Sequence, residues 1–411
     1  MKRSLLISLC CLLLLTSCRH RPRTYDPALV NFNVEYNSFL DGVLYPSMVL
    51  SLANYTGPNQ EDLVTIEVTS PANNAVLRVV IDSTELNYVT ILQEVMPRKG
   101  ERYKFSPSVK WKYEKLYALR QQRALDLTYT CFINDEEVDL KNIRLNCRSV
   151  NDCPLSIMDR RGQSHDFRWL FLGYVNENHP YIDSIMSTIL TQGIVDSFSG
   201  YQRGSKMAED QVRSIWYYAL NRGITYSSIS CTANPTRRST TQHIRFFDEV
   251  YNSRQANCID ACVFFASIMH KIGIKTVILI EPCHAYLGYY ADKNKKDLRL
   301  LETTITSWVN LPAMERTYAN EEKLNADQHA KLVKYLTPAQ VKKWDDGKMT
   351  MDELKHLLAD ALFKQASDYR KESYKDNKKL FADTAHNGYQ MLQVDELRKM
   401  VQPISAMDII P

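Results

Sequence analysis

The sequence predicts an α+β protein in which an all-β segment precedes a mixed segment, and three changes of texture along the chain carry that prediction. Residues 31–160 alternate short β-branched and aromatic runs with turn signals. From about residue 161 the apolar spacing becomes helical, then returns to strand between Val277 and Tyr290, with residue 312 closing the mixed segment. Residues 313–411 are charged and amphipathic, and read as a helical C-terminal extension.

The first residues read as a leader. Met1-Lys2-Arg3 is basic, and Leu5 to Leu15 is an apolar run too short to span a bilayer. Leu15-Thr16-Ser17-Cys18 resembles the lipobox of bacterial lipoproteins. That resemblance implies removal of residues 1–17, lipidation of Cys18 and a tether over residues 18–30, so the membrane is a partner through the N-terminal lipid. No aspartate stands beside Cys18 to mark inner-membrane retention, and no acidic cluster follows of the kind that marks surface export. An outer membrane lipoprotein on the periplasmic face is therefore expected, with surface display as the alternative.

Composition fits an exported globular chain. A length of 411 residues suggests two or three domains, and 45% hydrophobic with 24% charged residues is ordinary for a packed fold. The net charge of +4 falls to about +2 once Lys2 and Arg3 leave with the leader, which gives no electrostatic reason to expect a nucleic acid partner. Ten cysteines include Cys10, Cys11 and Cys18; the odd seven that remain leave at least one free thiol in an oxidising compartment. Cys147 and Cys153 are spaced to close a short loop.

In the all-β segment, strands are expected at Ser47–Tyr55, Leu63–Thr69, Ala75–Ile81, Tyr88–Val95, Ala124–Ile133 and Val138–Val150. Turn signals separate them at Gly57-Pro58, Pro71–Asn74 and Asn134–Glu137. Short strands at that spacing predict a β-sandwich of immunoglobulin-like type, acting as a spacer or binding module. Trp111, Tyr113 and Tyr117 interleave with Lys110, Lys112 and Lys115. This run is either a strip facing carbohydrate or a partner, or an edge with exposed lysines.

The mixed segment opens with helices. Asn178-His179-Pro180 starts one through Ile182, Ile185, Met186, Ile189 and Leu190, and Asp210–Leu220 makes another. Next, Cys258 opens an apolar run through Ile259, Val263, Phe264 and Met269 that ends at Lys271 and Gly273. A helix apolar over most of its surface is buried, so its first turn is held rigidly. Strands follow at Lys275–Glu281, Ala285–Ala291 and Leu298–Thr303, with His284 at the start of the second and Glu302 near the end of the third. A thiol whose ordinary pKa is about 8.5 becomes a nucleophile at a helix N-terminus beside an imidazolium. Antiparallel pairing would bring Glu302 across to His284, where a carboxylate fixes the ring tautomer and stabilises its cation.

Cys258, His284 and Glu302 in this order, with their flanks, resemble the transglutaminase-like superfamily, which has a papain-like core. The resemblance covers roughly Ser164–Leu311 and includes Ser214–Tyr226, similar to the family's helix and strand, and Phe247–Cys258, similar to its approach to the nucleophile. It implies a transglutaminase-like α+β domain over 161–312, with Cys258 as nucleophile, His284 as base and Glu302 as third member. The family often has tryptophan after His-Ala and aspartate before the threonine, where this chain has Tyr286 and Glu302. The longer glutamate requires an adjustment of strand register or of the histidine. His284 follows Cys258 by only 26 residues, which implies a narrower or differently gated cleft.

A metal site is a weaker rival. Cys258, Cys262, Cys283 and His284 can be written as a zinc set, but the spacing misses the short knuckles of structural zinc, and adjacent Cys283 and His284 would point to opposite strand faces. Asp345-Asp346-Gly347 with Glu353 evokes a calcium loop, yet its first and third positions would be Lys342 and Trp344, which cannot ligate. No metal and no cofactor are expected. In the C-terminal segment, helices are expected at Asp327–Tyr335, Pro338–Trp344, Thr350–Glu372 and Val394–Val401.

The expected function is a cysteine enzyme working by thioester acyl transfer on a peptide or glutamine amide, a peptidase or amidase rather than a cross-linking enzyme. Its partner is then a peptide or protein substrate. The oxyanion would be met by the Cys258 backbone N–H and a second donor, Gln255 or Trp216. The alternative is a catalytically inactive binding or scaffold lipoprotein.

Overall fold

The computed structural model describes residues 25–37, 40–52, 63–228, 238–383 and 388–405. Cys18, the expected leader and Cys231 lie outside them. The chain is mixed α and β with several separate sheets. It divides into two compact units, one holding residues 25–37, 63–111 and 125–145, the other 40–52, 112–124 and 146–405.

The first unit carries two sheets. Phe32–Tyr36, Val64–Thr69 and Arg102–Phe105 form one, in that order and antiparallel. In the other, Glu136–Cys147, Arg123–Ile133, Ala75–Ile81 and Thr90–Met96 lie side by side. Val64–Thr69 and Ala75–Ile81 alternate buried with half-buried residues, the period-2 pattern of a strand with one face in a core. One expected strand fails: Pro46–Ser51 is a helix. Pro46 occupies its first position, where proline's fixed φ favours a helix start, and a short apolar run such as Met48-Val49-Leu50 reads equally as either element.

The division falls differently from the one expected near residue 160. Asp152–Met158 pairs with Ser164–Asp166 and Ser239–His243 inside the second unit. Tyr113–Tyr117, within the run of tyrosines and lysines, is a short helix of that unit.

The second unit is built around a helix and a sheet. Helix α1 (Gly204–Arg222) ends at Gly223, whose φ of 77° is the left-handed conformation that closes helices and suits glycine. Helix α2 (Cys258–Lys271) is buried at every residue from Ile259 to Met269. It packs on a four-stranded antiparallel sheet made by β1 (Thr276–Glu281), β2 (His284–Tyr290), β3 (Leu298–Leu301) and a strand from the far end of the chain. Helices α3 (Met351–Asp368) and α4 (Lys371–Ala382) precede that last strand, β4 (Gln390–Gln393), and the sheet order is β3-β2-β1-β4.

The C-terminal segment is thus not purely helical. β4 pairs with β1 from Val277↔Gln393 to Ile280↔Gln390, so residues more than a hundred positions apart complete one sheet. Phe381 of α4 joins Val277, Leu279, Tyr286, Tyr290 and Leu300 in a single apolar cluster. The helix expected over Thr350–Glu372 is two, broken between Asp368 and Lys371. Arg398 fastens the end of the chain by donating to Leu172 O and to Glu177 at 2.8 Å. Among the described residues no helix is long and apolar enough to cross a membrane.

Gly288, in the middle of β2, shows how tightly this sheet is covered. A Cβ there would lie 2.8 Å from Val277 Cγ1 and 3.0 Å from both Leu279 Cδ1 and Leu298 Cδ1. Gly288→Ala is expected to lower the unfolding free energy by about 1–3 kcal/mol. Urea titration tests this, and a midpoint equal to the parent's contradicts it.

Candidate active site

Cys258 is the first residue of α2 and is partly exposed. Its position is fixed by a reciprocal cap. Asn257 Oδ1 accepts from the Asp260 N–H at 2.9 Å, while Asp260 Oδ2 accepts from the Asn257 N–H at 3.0 Å. Asp260 is wholly buried and also bonds the backbone N–H and, at 2.8 Å, the guanidinium of Arg245. Burial pushes its carboxyl above the ordinary value against the pull of those donors. Just upstream, Thr225 and Tyr226 run parallel to Gln255 and Ala256, which ties down the approach to the helix.

His284 begins β2 immediately after the two-residue turn Pro282-Cys283. Cys283 has φ of 62°, and proline followed by a positive-φ residue is the pattern of a type II turn. Across the sheet, the chain leaves β3 at Leu301, and Glu302 caps the short 3-10 helix Thr303–Ser307. β2 and β3 pair with Leu287 opposite Leu301, so Glu302 reaches His284 diagonally and not as a direct strand partner. The extra methylene of glutamate is taken up by this departure from the strand.

The three side chains converge. His284 Nε2 lies 2.8 Å from Glu302 Oε2, and Cys258 is near enough to the same ring to raise its pKa. Glu302 is 0% exposed and accepts from Thr304 N–H at 3.2 Å, Thr304 Oγ1 at 2.7 Å and Arg370 Nε at 2.6 Å besides His284. Burial alone would raise its pKa, but the bond and charge of His284, with Thr304 and Arg370, hold it down at about 2. Burial likewise disfavours a charged imidazole, yet Cys258 and Glu302 outweigh it and His284 is pushed up to about 9.

The remaining sequence candidates separate. Gln255 is exposed, three residues before Cys258, and remains open to a bound molecule. Trp216 is fully buried, stacked on Phe265 at 5.9 Å and tilted against Phe363 at 6.2 Å, and its indole N–H has no hydrogen-bond partner among the described residues. Cys262 is buried with its sulfur 3.9 Å from Thr303 Oγ1, whereas Cys283 is exposed. Cys147 and Cys153 are both buried and are not bonded to each other. Among the described residues no three His, Cys, Asp or Glu side chains are grouped to hold a metal ion.

Two charged residues of the site escaped the sequence reading. Asp260 stands at the position of a capping box and was legible from Asn257-x-x-Asp260. Arg370 follows Glu302 by 68 residues and sits in what reads as continuous helix, so no local spacing marks it. No protein-family model matches the chain, and no curated protein matches it.

The two pKa shifts set a pH window. A carboxyl lowered on folding contributes stability above its unfolded value of about 4.3, lost as pH falls through 2; an imidazole raised on folding contributes below about 6.5, lost as pH rises through 9. Both shifts report largely one ion pair, so they do not add. Glu302→Gln is expected to lose about 3 kcal/mol at pH 6 and to lack the parent's rise in stability between pH 2 and 4.5. Urea unfolding across that range checks it; parallel pH profiles in the two proteins would contradict it.

Proposed function

We propose that this chain is a periplasm-facing lipoprotein cysteine enzyme of the transglutaminase-like superfamily, acting by thioester acyl transfer on peptide or glutamine amides. One observation carries the reading: the buried Glu302 carboxylate lies 2.8 Å from the imidazole of His284, whose pKa Cys258 and Glu302 together raise. The order of helix start, strand start and strand end at which these residues stand supports a papain-like core. The lipobox at Leu15–Cys18 supports the compartment, and the two sheets of the first unit support an immunoglobulin-like sandwich as spacer or binding module.

In this mechanism the Cys258 sulfur, its proton held on His284, attacks the amide carbonyl carbon. The tetrahedral oxyanion accepts from the Cys258 backbone N–H, which is free at the first position of α2, with the Gln255 amide as second donor. The C–N bond breaks as His284 returns its proton to the departing amine, leaving an acyl thioester on sulfur. Water then attacks, His284 takes its proton, and the carboxylic acid leaves as the thiol re-forms. An amine in place of water gives transamidation; a water-rich compartment favours hydrolysis. Glu302, ionised through this whole pH range, stabilises the imidazolium in both half-reactions.

Cys283 supplies an internal reference, being an exposed thiol one residue from the base. Iodoacetamide at pH 6.5, followed by peptide mapping, is expected to alkylate Cys258 at least roughly tenfold faster than Cys283. His284→Ala removes that advantage. Equal rates at the two cysteines in the parent would leave a binding lipoprotein as the better account.

A further inference from the structure

Arg370 stands at the break between α3 and α4, and its guanidinium reaches His284 through both of the residues that flank the base. Nε donates to Glu302 Oε2 at 2.6 Å, the same oxygen that meets His284 Nε2. Nη1 donates to Glu281 Oε1 at 2.8 Å, and Glu281 is the cross-strand partner of His284 at the end of the hairpin. A single planar cation therefore spans the carboxylate that faces the imidazole and the strand residue across from it. All three side chains are sheltered, with exposures of 20% for Arg370, 11% for Glu281 and 1% for Glu302.

The rings around it complete the brace. The guanidinium carbon lies 5.5 Å from the centre of Tyr286 and 5.4 Å from that of Tyr369, and Tyr286 in turn stacks on His284 at 6.3 Å. The hairpin tip needs such support. Cys283 holds a positive φ that costs a side-chain-bearing residue about 1 kcal/mol, and His284 is its neighbour.

We propose that Arg370 is a positioning residue for the base, holding Glu302 on the imidazole and the hairpin in register, so that the C-terminal segment is a working part of the catalytic unit. This rests on reading Cys258, His284 and Glu302 as a triad. The fork geometry carries the role, because guanidinium spans two carboxylates in fixed directions whereas an ammonium is a single point charge. The charged and titratable groups that face His284 are Cys258 from α2, Glu302 beyond β3, Glu281 across the hairpin, Cys283 in the turn and Arg370 from the helix break, with Tyr286 stacked alongside.

The test is the titration of His284, read by NMR in histidine-labelled full chain and assigned with His284→Ala. The parent is expected to titrate near 9. Arg370→Lys and Arg370→Gln are each expected to lower that value by about one pH unit or more, as Glu302 loses its hold. A thermal melt of each variant verifies folding, and Arg370→Lys, which keeps the charge, decides the matter if Arg370→Gln does not fold. An unchanged titration in Arg370→Lys overturns the positioning role. A rise in Arg370→Gln also overturns it, since Arg370 would then act on His284 only as a nearby positive charge. A parent histidine near 6.5 removes the triad reading itself, whereas a parent near 9 with unmoved variants removes only the role of Arg370.

Discussion

A carboxylate withdrawn from water must be met by donors and cations, and Glu302 is met by four. Leaving it unpaired in the interior would cost several kcal/mol, so each partner's position is constrained by the others. Thr304 comes from the turn that Glu302 itself caps, His284 from the next strand, and Arg370 from a helix break late in the chain. Satisfying one buried charge therefore draws together three distant parts of the second unit. The same interaction keeps the imidazole protonated well above its ordinary range, which is the condition for an imidazolium beside a thiol.

Rigidity at Cys258 has a separate origin. Helix α2 is apolar on all sides and has no freedom to turn in the core, while its first turn is closed by Asn257 and Asp260. Arg245 compensates Asp260 as Arg370 compensates Glu302. Each end of the Cys258 and His284 pair is thus anchored to a buried carboxylate with its own guanidinium. The sheet beneath is complete only when β4 closes its edge, which makes the C-terminal segment part of the domain's core.

Cys258, His284 and Glu302 were legible because each stands at a boundary that the sequence marks: the start of an apolar helix, the start of a strand after proline, and the end of a strand before two threonines. The strands at Ala75–Ile81 and Arg123–Ile133 were legible from their alternation. Pro46–Ser51 was not, since a run as short as Met48-Val49-Leu50 leaves helix and strand equally open. Nor was β4, whose Gln-Met-Leu-Gln has little strand character of its own and is ordered by pairing with β1. The break at Tyr369-Arg370 carries neither glycine nor proline; the bonds of Arg370 to Glu281 and Glu302 are tertiary and leave no local trace. Trp216 is held in the core of the second unit. An aromatic residue at helical spacing is served by the core that Phe265 and Phe363 provide.

The central claim is that this constellation makes an acyl thioester, and p-nitrophenyl acetate tests it without knowledge of the natural substrate. With the full chain, the account predicts a burst of nitrophenol matched by one acetyl group on Cys258, found by peptide mapping and released by hydroxylamine. His284→Ala should slow that acylation by about 10²-fold or more. Acetylation of Cys258 no faster than that of the exposed Cys283, or unaffected by loss of His284, would contradict the account.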